Sequence, residues 1–266
     1  MSTTFGIEIE TVGISTSKAA RALLSAGIDA NDEQYNHITR AHWKAVRDGS
    51  LNTELGSGST AEVVSPILNV TDFEQLRTVV DALSRAGARV NKSCGIHVHV
   101  GGHDLAPAAI HRAAVLWREL QDATDLLVSP ARREGVRQCR CGAMHCHFAQ
   151  RLNDADLKLI ADGEWERICD SQLRYRTFNA GSMYRIPTVE FRQHQGSLNA
   201  TKIWAWADYC QAMLRIGQSG RTYAGPMGVD ALKHTENVVS WVAGLGFMQS
   251  KNAEYLIRHS AELASR

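Results

Sequence analysis

Phe5-Gly6-Ile7-Glu8-Ile9-Glu10 alternates apolar and acidic side chains. A β-strand sorts such a pattern, because successive side chains leave on opposite faces: Ile7 and Ile9 go to one side, Glu8 and Glu10 to the other. Two carboxylates on one surface repel unless water, an arginine or a divalent cation lies between them. Hard Mg²⁺ or Mn²⁺ is the natural partner of such oxygens; the alternative is the solvated outer face of an edge strand.

The same period recurs along the chain. Cys94-Gly95-Ile96-His97-Val98-His99-Val100 sets His97 and His99 opposite Ile96, Val98 and Val100, and Thr188-Val189-Glu190-Phe191-Arg192-Gln193-His194 sets Glu190, Arg192 and His194 opposite Val189 and Phe191. Ala61-Glu62-Val63-Val64-Ser65 places Glu62 beside an apolar pair, Leu173 to Asn179 adds Arg174 and Arg176, and Trp43 alternates with Ala45 and Arg47 on the way to Asp48. Together these describe a sheet with carboxylates, histidines and arginines on one surface, a composition suited to polyphosphate chemistry with divalent ions.

Helical periodicity covers Lys18 to Ala26, Asp72 to Ala86, Pro107 to Leu127, Thr201 to Ile216, Val229 to Ala243 and Asn252 to Ala264. Thr71, with Glu74 three residues on, resembles a capping box, and Gly87 is the expected stop. Short alternating strands favour an antiparallel sheet with one polar face and helices packed on the other over a parallel doubly wound sheet. The expected class is α+β. With only five prolines among 266 residues, no compositional break and no internal repeat, the whole chain, 1–266, is expected to form one domain.

Composition excludes other classes. Hydrophobic residues at 44% rule out disorder, and 29 basic against 28 acidic side chains give no global pull toward nucleic acid or an anionic membrane. The N-terminal stretch lacks the basic and apolar regions of a secretory signal, and no apolar run approaches a membrane span. With six cysteines, the expectation is a cytoplasmic protein with reduced thiols or metal-binding cysteines. No Walker or Rossmann glycine loop and no serine-hydrolase elbow occurs.

Five pieces, in order, resemble the amidoligase family, which is similar to glutamate–cysteine ligase and glutamine synthetase. They are Phe5 to Glu10, Asp48-Gly49-Ser50-Leu51, Glu62 to Pro66, Gly95 to His99, and Thr188 to Arg192 with Gly196-Ser197-Leu198-Asn199. The resemblance implies an ATP-dependent carboxylate–amine ligase on a curved antiparallel sheet, like the glutamine synthetase catalytic domain, with nucleotide and metals in its concave face. A carboxylate would attack the γ-phosphate of ATP, and an amine would then displace phosphate from the acyl phosphate.

By motif, the resemblance makes Glu8, Glu10, Glu62, His97 and Glu190 the Mg²⁺ (or Mn²⁺) ligands, Arg192 the stabiliser of the transferring phosphoryl group, and Asp48 the residue that orients or deprotonates the amine. Arg176 and Asn179 would position the carboxylate substrate. Asn179, His99, Arg192 and Arg132 are the expected nucleotide contacts, with Arg133 an alternative to Arg132. Small-molecule or peptide acids and amines would be the substrates.

A Cys/His-rich stretch departs from that family pattern. Cys139, Cys141, Cys146 and His147 offer the donors of a structural Zn²⁺ site; the competing reading of this insertion, near 129–150, is a lid that shields an acyl phosphate from water. Two other functional readings stay open: a zinc or dinuclear metal hydrolase using His97, His99 and His103, and a binding protein that keeps the ligase fold without turnover.

Overall fold

The computed structural model describes residues 4–51, 59–133, 149–169, 171–226 and 229–265. The chain forms two compact units, the first from Met1–His99 with Gln195–Trp204, the second from Val100–His194 with Ala205–Arg266. The zinc candidates Cys139, Cys141, Cys146 and His147, and the proposed lid around them, lie outside the described residues.

In the first unit the strands are β1 (Phe5–Val12), β2 (Ala30–Asp32), β3 (Trp43–Val46), β4 (Thr60–Val64) and β5 (Gly95–Gly101), which runs on into the second unit. Their hydrogen-bonded order is β2-β3-β4-β1-β5. β1 with β4 and β3 with β4 are antiparallel as expected, whereas the three-residue β2 pairs with β3 in parallel. The sheet is therefore mostly, not wholly, antiparallel.

The register turns sequence alternation into two faces. Ala45, Val63 and Ile9 are aligned across three strands, and all are fully buried, as are Ile7, Ile96 and Val98. On the other parity one row reads Lys44, Val64, Glu8 and the next reads Val46, Glu62, Glu10. Helix α1 (Thr16–Ser25) lies against β2, β3, β4 and α2 (Phe73–Arg85). It buries Ala19, Ala20 and Leu23, while α2 buries Leu76, Val79, Val80 and Leu83, so the apolar parity is what the helices need as a partner.

The expected capping box at α2 does not form. Asp72 is the N-cap, the Thr71 hydroxyl donates to Asn69 Oδ1 at 2.7 Å, and Glu74 instead accepts from Arg77 Nε at 2.8 Å. Gly87, at φ +93°, follows the helix end as its sequence position implied.

The second unit contains β6 (Phe178–Asn179) and β7 (Thr188–Gln195), paired antiparallel with Phe178 opposite Phe191 and Asn179 opposite Glu190. Its helices are α3 (Pro107–Glu119), α4 (Gln121–Asp125), α5 (Asp154–Asp162), α6 (Trp165–Cys169), α8 (Ala231–Gly244), α9 (Ser250–Ala264) and most of α7 (Ala200–Ser219). Trp117 is fully buried among Phe178, Phe191, Trp206 and Tyr209, with ring centroids 4.9–6.4 Å away, and its indole N–H donates to Thr177 Oγ1 at 3.0 Å.

Two sequence expectations change here. The strand expected over Leu173 to Asn179 is mostly a 3-10 turn (Gln172–Tyr175): Ser171 Oγ accepts the Leu173 amide, and only Phe178 and Asn179 remain extended. Arg174 and Arg176 are thus not strand neighbours, and Arg174 stacks on Tyr175. The single helix expected over Pro107 to Leu127 breaks at Leu120, beyond which Gln121 and Asp125 share hydrogen bonds with Gln193 of β7. Among the described residues, no helix is long and apolar enough to cross a membrane.

Candidate functional site

In the first unit the polar strand faces converge. Glu8, on β1, receives two imidazoles from β5: His97 Nδ1 lies 2.9 Å from Glu8 Oε2, and His99 Nε2 lies 3.2 Å from Glu8 Oε1. The other ring nitrogen of His97, Nε2, is 3.6 Å from Glu10 Oε1, so this imidazole faces a carboxylate at each end. Glu10 Oε2 accepts the Gly95 amide at 2.5 Å, which fixes its carboxylate against the start of β5. Burial by itself raises the Glu8 carboxyl pKa, but the charge of His99 and the hydrogen bonds and charge of both histidines hold it well below the usual range.

Among the described residues, two clusters of possible cation ligands lie wholly within the first unit. Glu8, Glu62 and His97 each bring one ligand atom to within 4.8 Å of the others, and Glu10, Asp48 and Glu62 do the same. Glu62 belongs to both because the register sets it directly across from Glu10. Asp48 is oriented by the Ser50 amide, which donates to its Oδ1 at 2.7 Å.

Lys44 completes this face and was not singled out in the sequence. Its parity, opposite to Trp43 and Ala45, places it in the row of Val64 and Glu8. Its buried ammonium donates to Asn36 O, Asn36 Oδ1 and Ile38 O, each at 2.9 Å. Burial lowers its pKa, and the negative charges of Glu33, Glu8 and Glu62 oppose that shift. Strand alternation alone was the signal that could have found it.

The remaining sequence candidates lie in the second unit. On β7 the Glu190 carboxylate is held by the Arg192 guanidinium and, at 2.8 Å, by Asn179 Nδ2; Asn179 Oδ1 in turn accepts the Gly181 amide. Arg176 Nε lies 2.8 Å from the buried Asp156, and its Nη1 is 2.5 Å from Gln150 Oε1. Arg132 is buried in the 3-10 turn Pro130–Arg132, while the neighbouring Arg133 donates twice to Val128 O. His103 is exposed and paired with Asp104, and no cluster of possible metal ligands among the described residues contains it. None of the three described cysteines, Cys94, Cys169 and Cys210, forms a disulfide.

No curated protein matches the chain. A family described as "Putative amidoligase enzyme" matches residues 1–214, which include both cation clusters of the first unit and the Glu190–Arg192–Asn179 set of the second. The chain belongs to the amidoligase family.

Proposed function

We propose that the chain is an ATP- and Mg²⁺-dependent carboxylate–amine ligase, with Mn²⁺ able to replace Mg²⁺. The observation that carries this reading is the carboxylate Glu62 shared by two ligand clusters on one strand face. Glu8, Glu10, Asp48 and Glu62 share that face with one ammonium, Lys44, and with His97. Within the two clusters the donors are carboxylate oxygens and the one imidazole of His97, a set that suits a hard divalent ion. A bound cation would supply positive charge to the oxygens of a nucleotide's phosphates.

The chain's own groups divide the remaining work. Arg192, steadied by Glu190, presents a guanidinium to the transferring phosphoryl group. Each Glu190 oxygen already accepts a hydrogen bond and keeps a lone pair, so Glu190 remains in the proposed ligand set. Asp48, clustered with Glu10 and Glu62, joins the cation ligands in this reading rather than acting on the amine.

In the reaction a substrate carboxylate oxygen bonds to the γ-phosphorus as the bond to ADP breaks. An amine nitrogen then bonds to the acyl carbon, the C–O bond to phosphate breaks, and the nitrogen gives up a proton. A glutamine synthetase-like sheet, cytoplasmic location and small-molecule or peptide substrates belong to the same proposal. The zinc-hydrolase reading gains no support from the exposed, Asp104-paired His103.

Calorimetry of ATP with metal-stripped protein tests the reading, with and without Mg²⁺ and with zinc content measured on the same sample. The expected result is Mg²⁺-dependent nucleotide binding, with ADP release lost in Glu8→Gln and Glu190→Gln while the fold persists. Absence of nucleotide binding together with retained zinc would overturn it.

A further inference from the structure

β7 carries Glu190 and Arg192 on one parity and, on the other, Val189, Phe191 and Gln193, all three buried. An amide in that otherwise apolar row costs free energy unless its polar atoms are paired. Gln193 finds its partners on α4: its Nε2 donates to Asp125 Oδ1 at 2.5 Å, and its Oε1 accepts from Gln121 Nε2 at 3.0 Å. Gln121 Nε2 also donates to Asp125 Oδ1 at 2.8 Å, and Gln121 Oε1 accepts from the Thr177 hydroxyl at 3.1 Å. That hydroxyl in turn accepts from the Trp117 indole at 3.0 Å. The charge of Asp125 is met by Arg151 at 2.5 Å, which also pairs with Asp122 at 2.7 Å.

The network has one hydrogen-bonding sense. A carboxylate paired with a guanidinium can only accept, so Gln121 must turn its amide nitrogen to Asp125 and its oxygen to Thr177; a flipped amide would set oxygen against oxygen. The Thr177 hydroxyl then donates to Gln121 and accepts from the indole, which can only donate. A buried polar network satisfied in this way holds its members in one arrangement.

What it holds is the backbone of Arg192. Gln193 is the next residue along β7, and Thr177 accepts the Arg192 amide with its carbonyl at 3.1 Å. Gln121 therefore joins the chain neighbour of Arg192 to its neighbour across the strands. On the other face of β7 the guanidinium is fixed by Glu190, which also accepts from Asn179. We infer that Gln121 is a positioning residue for Arg192: from behind β7 it fixes the backbone from which the guanidinium reaches the transferring phosphoryl group. What Arg192 acts on rests on the ligase reading; how Arg192 is held does not.

The test uses the full chain and two variants. Gln121→Met keeps the bulk of the side chain without its hydrogen bonds, and Thr177→Val removes the hydroxyl between Trp117 and Gln121. In nitrogen–proton correlation spectra without metal or nucleotide, the Arg192 Nε–H signal is identified by its loss in Arg192→Lys, and each variant should displace it well below its melting temperature. A signal unmoved in either folded variant would overturn the inference, however much stability that variant loses. Calorimetry with ATP and Mg²⁺ reads the consequence. Gln121→Met should weaken binding about fivefold, the worth of one hydrogen bond, and should weaken it no further in an Arg192→Ala background. Equal weakening in both backgrounds would mean that Gln121 does not act through Arg192 and would overturn the inference. Wild-type ATP affinity in Arg192→Ala, with the signal still displaced by Gln121→Met, would instead remove Arg192 from the ligase reading and leave its positioning by Gln121 supported.

Discussion

Replacing Glu62 by Gln tests the two-cluster reading of the carboxylate face through stability, without a substrate. Glu62 lies within 4.8 Å of a carboxylate oxygen of Glu10 and of Asp48. At that separation each repulsion amounts to about 0.9 kcal/mol at the permittivity of water and about 3.5 kcal/mol at an effective permittivity near 20. Removing the charge also removes the attraction between Glu62 and the Lys44 ammonium, which opposes the gain. The expected net effect in chelator is a stabilisation of about 1 kcal/mol, or a rise of roughly 2–4 °C in Tm for a chain of this size.

Added Mg²⁺ should act unequally on the two proteins. At about ten times its Kd, Mg²⁺ should stabilise the wild type by about 1.4 kcal/mol through mass action, and the variant, lacking the ligand common to both clusters, should respond weakly or not at all. Thermal melts in chelator and in a Mg²⁺ series read both numbers. A Glu62→Gln protein that melts lower than wild type in chelator would show Glu62 to be a structural ion-pair partner. Wild-type Mg²⁺ sensitivity in the variant would refute the shared-ligand reasoning directly.

Other consequences follow from particular contacts. The His42 and Asn36 hydrogen bonds and Arg40 hold the Glu33 carboxyl down to about 2 from its usual 4.5; the stabilisation this implies is complete above the unfolded value and is lost as pH falls through the folded one. Urea melts of wild type and Glu33→Gln should therefore differ at neutral pH and converge toward pH 2, and a difference that stays constant with pH would count against the assignment. At Gly217 an added Cβ would come within 2.6 Å of Ala109 O and of Ala113 Cβ on α3. Gly217→Ala should cost about 1–3 kcal/mol by denaturant melt; a neutral result would mean that α3 and α7 separate at little cost.

Much of the first unit could be read in the sequence because its strands are long enough for alternation to be unambiguous. β1 coincides with the segment read as a strand, β4 and β5 match theirs to within one residue at an end, and their apolar parity is the one the helices cover. β2 escaped notice because Ala30-Asn31-Asp32 contains a single apolar side chain, so no period can show in it. In the second unit, α5 had a readable start and stop: Asn153 and Asp156 form a reciprocal capping box, and Gly163 at φ +66° ends the helix. The signal was present, but only Leu157 and Ile160 supply fully apolar burial in that helix, too few to stand out by hydrophobic period.

Side chains with chemistry were legible as residue types and faces, and less so as partners. Alternation put Glu8 with Glu10 and His97 with His99, but only the register showed that Glu10 and Glu62 are directly opposed and that His97 faces both Glu8 and Glu10. The same logic explains the omission of Lys44. A lysine between Trp43 and Ala45 reads as a solvated outward residue, since an ammonium is rarely buried without compensation. Here the loop carbonyls of Asn36 and Ile38 and the Asn36 amide oxygen supply that compensation, and they come from a segment with no period to reveal where it folds. Lys44→Met separates its two roles. Loss of the loop anchor alone would lower stability equally with and without Mg²⁺, whereas loss of the cation facing Glu8 and Glu62 would make the chelated protein selectively less stable and enlarge the Mg²⁺-induced rise in Tm. The opposing carboxylate charges on Lys44 favour the second outcome.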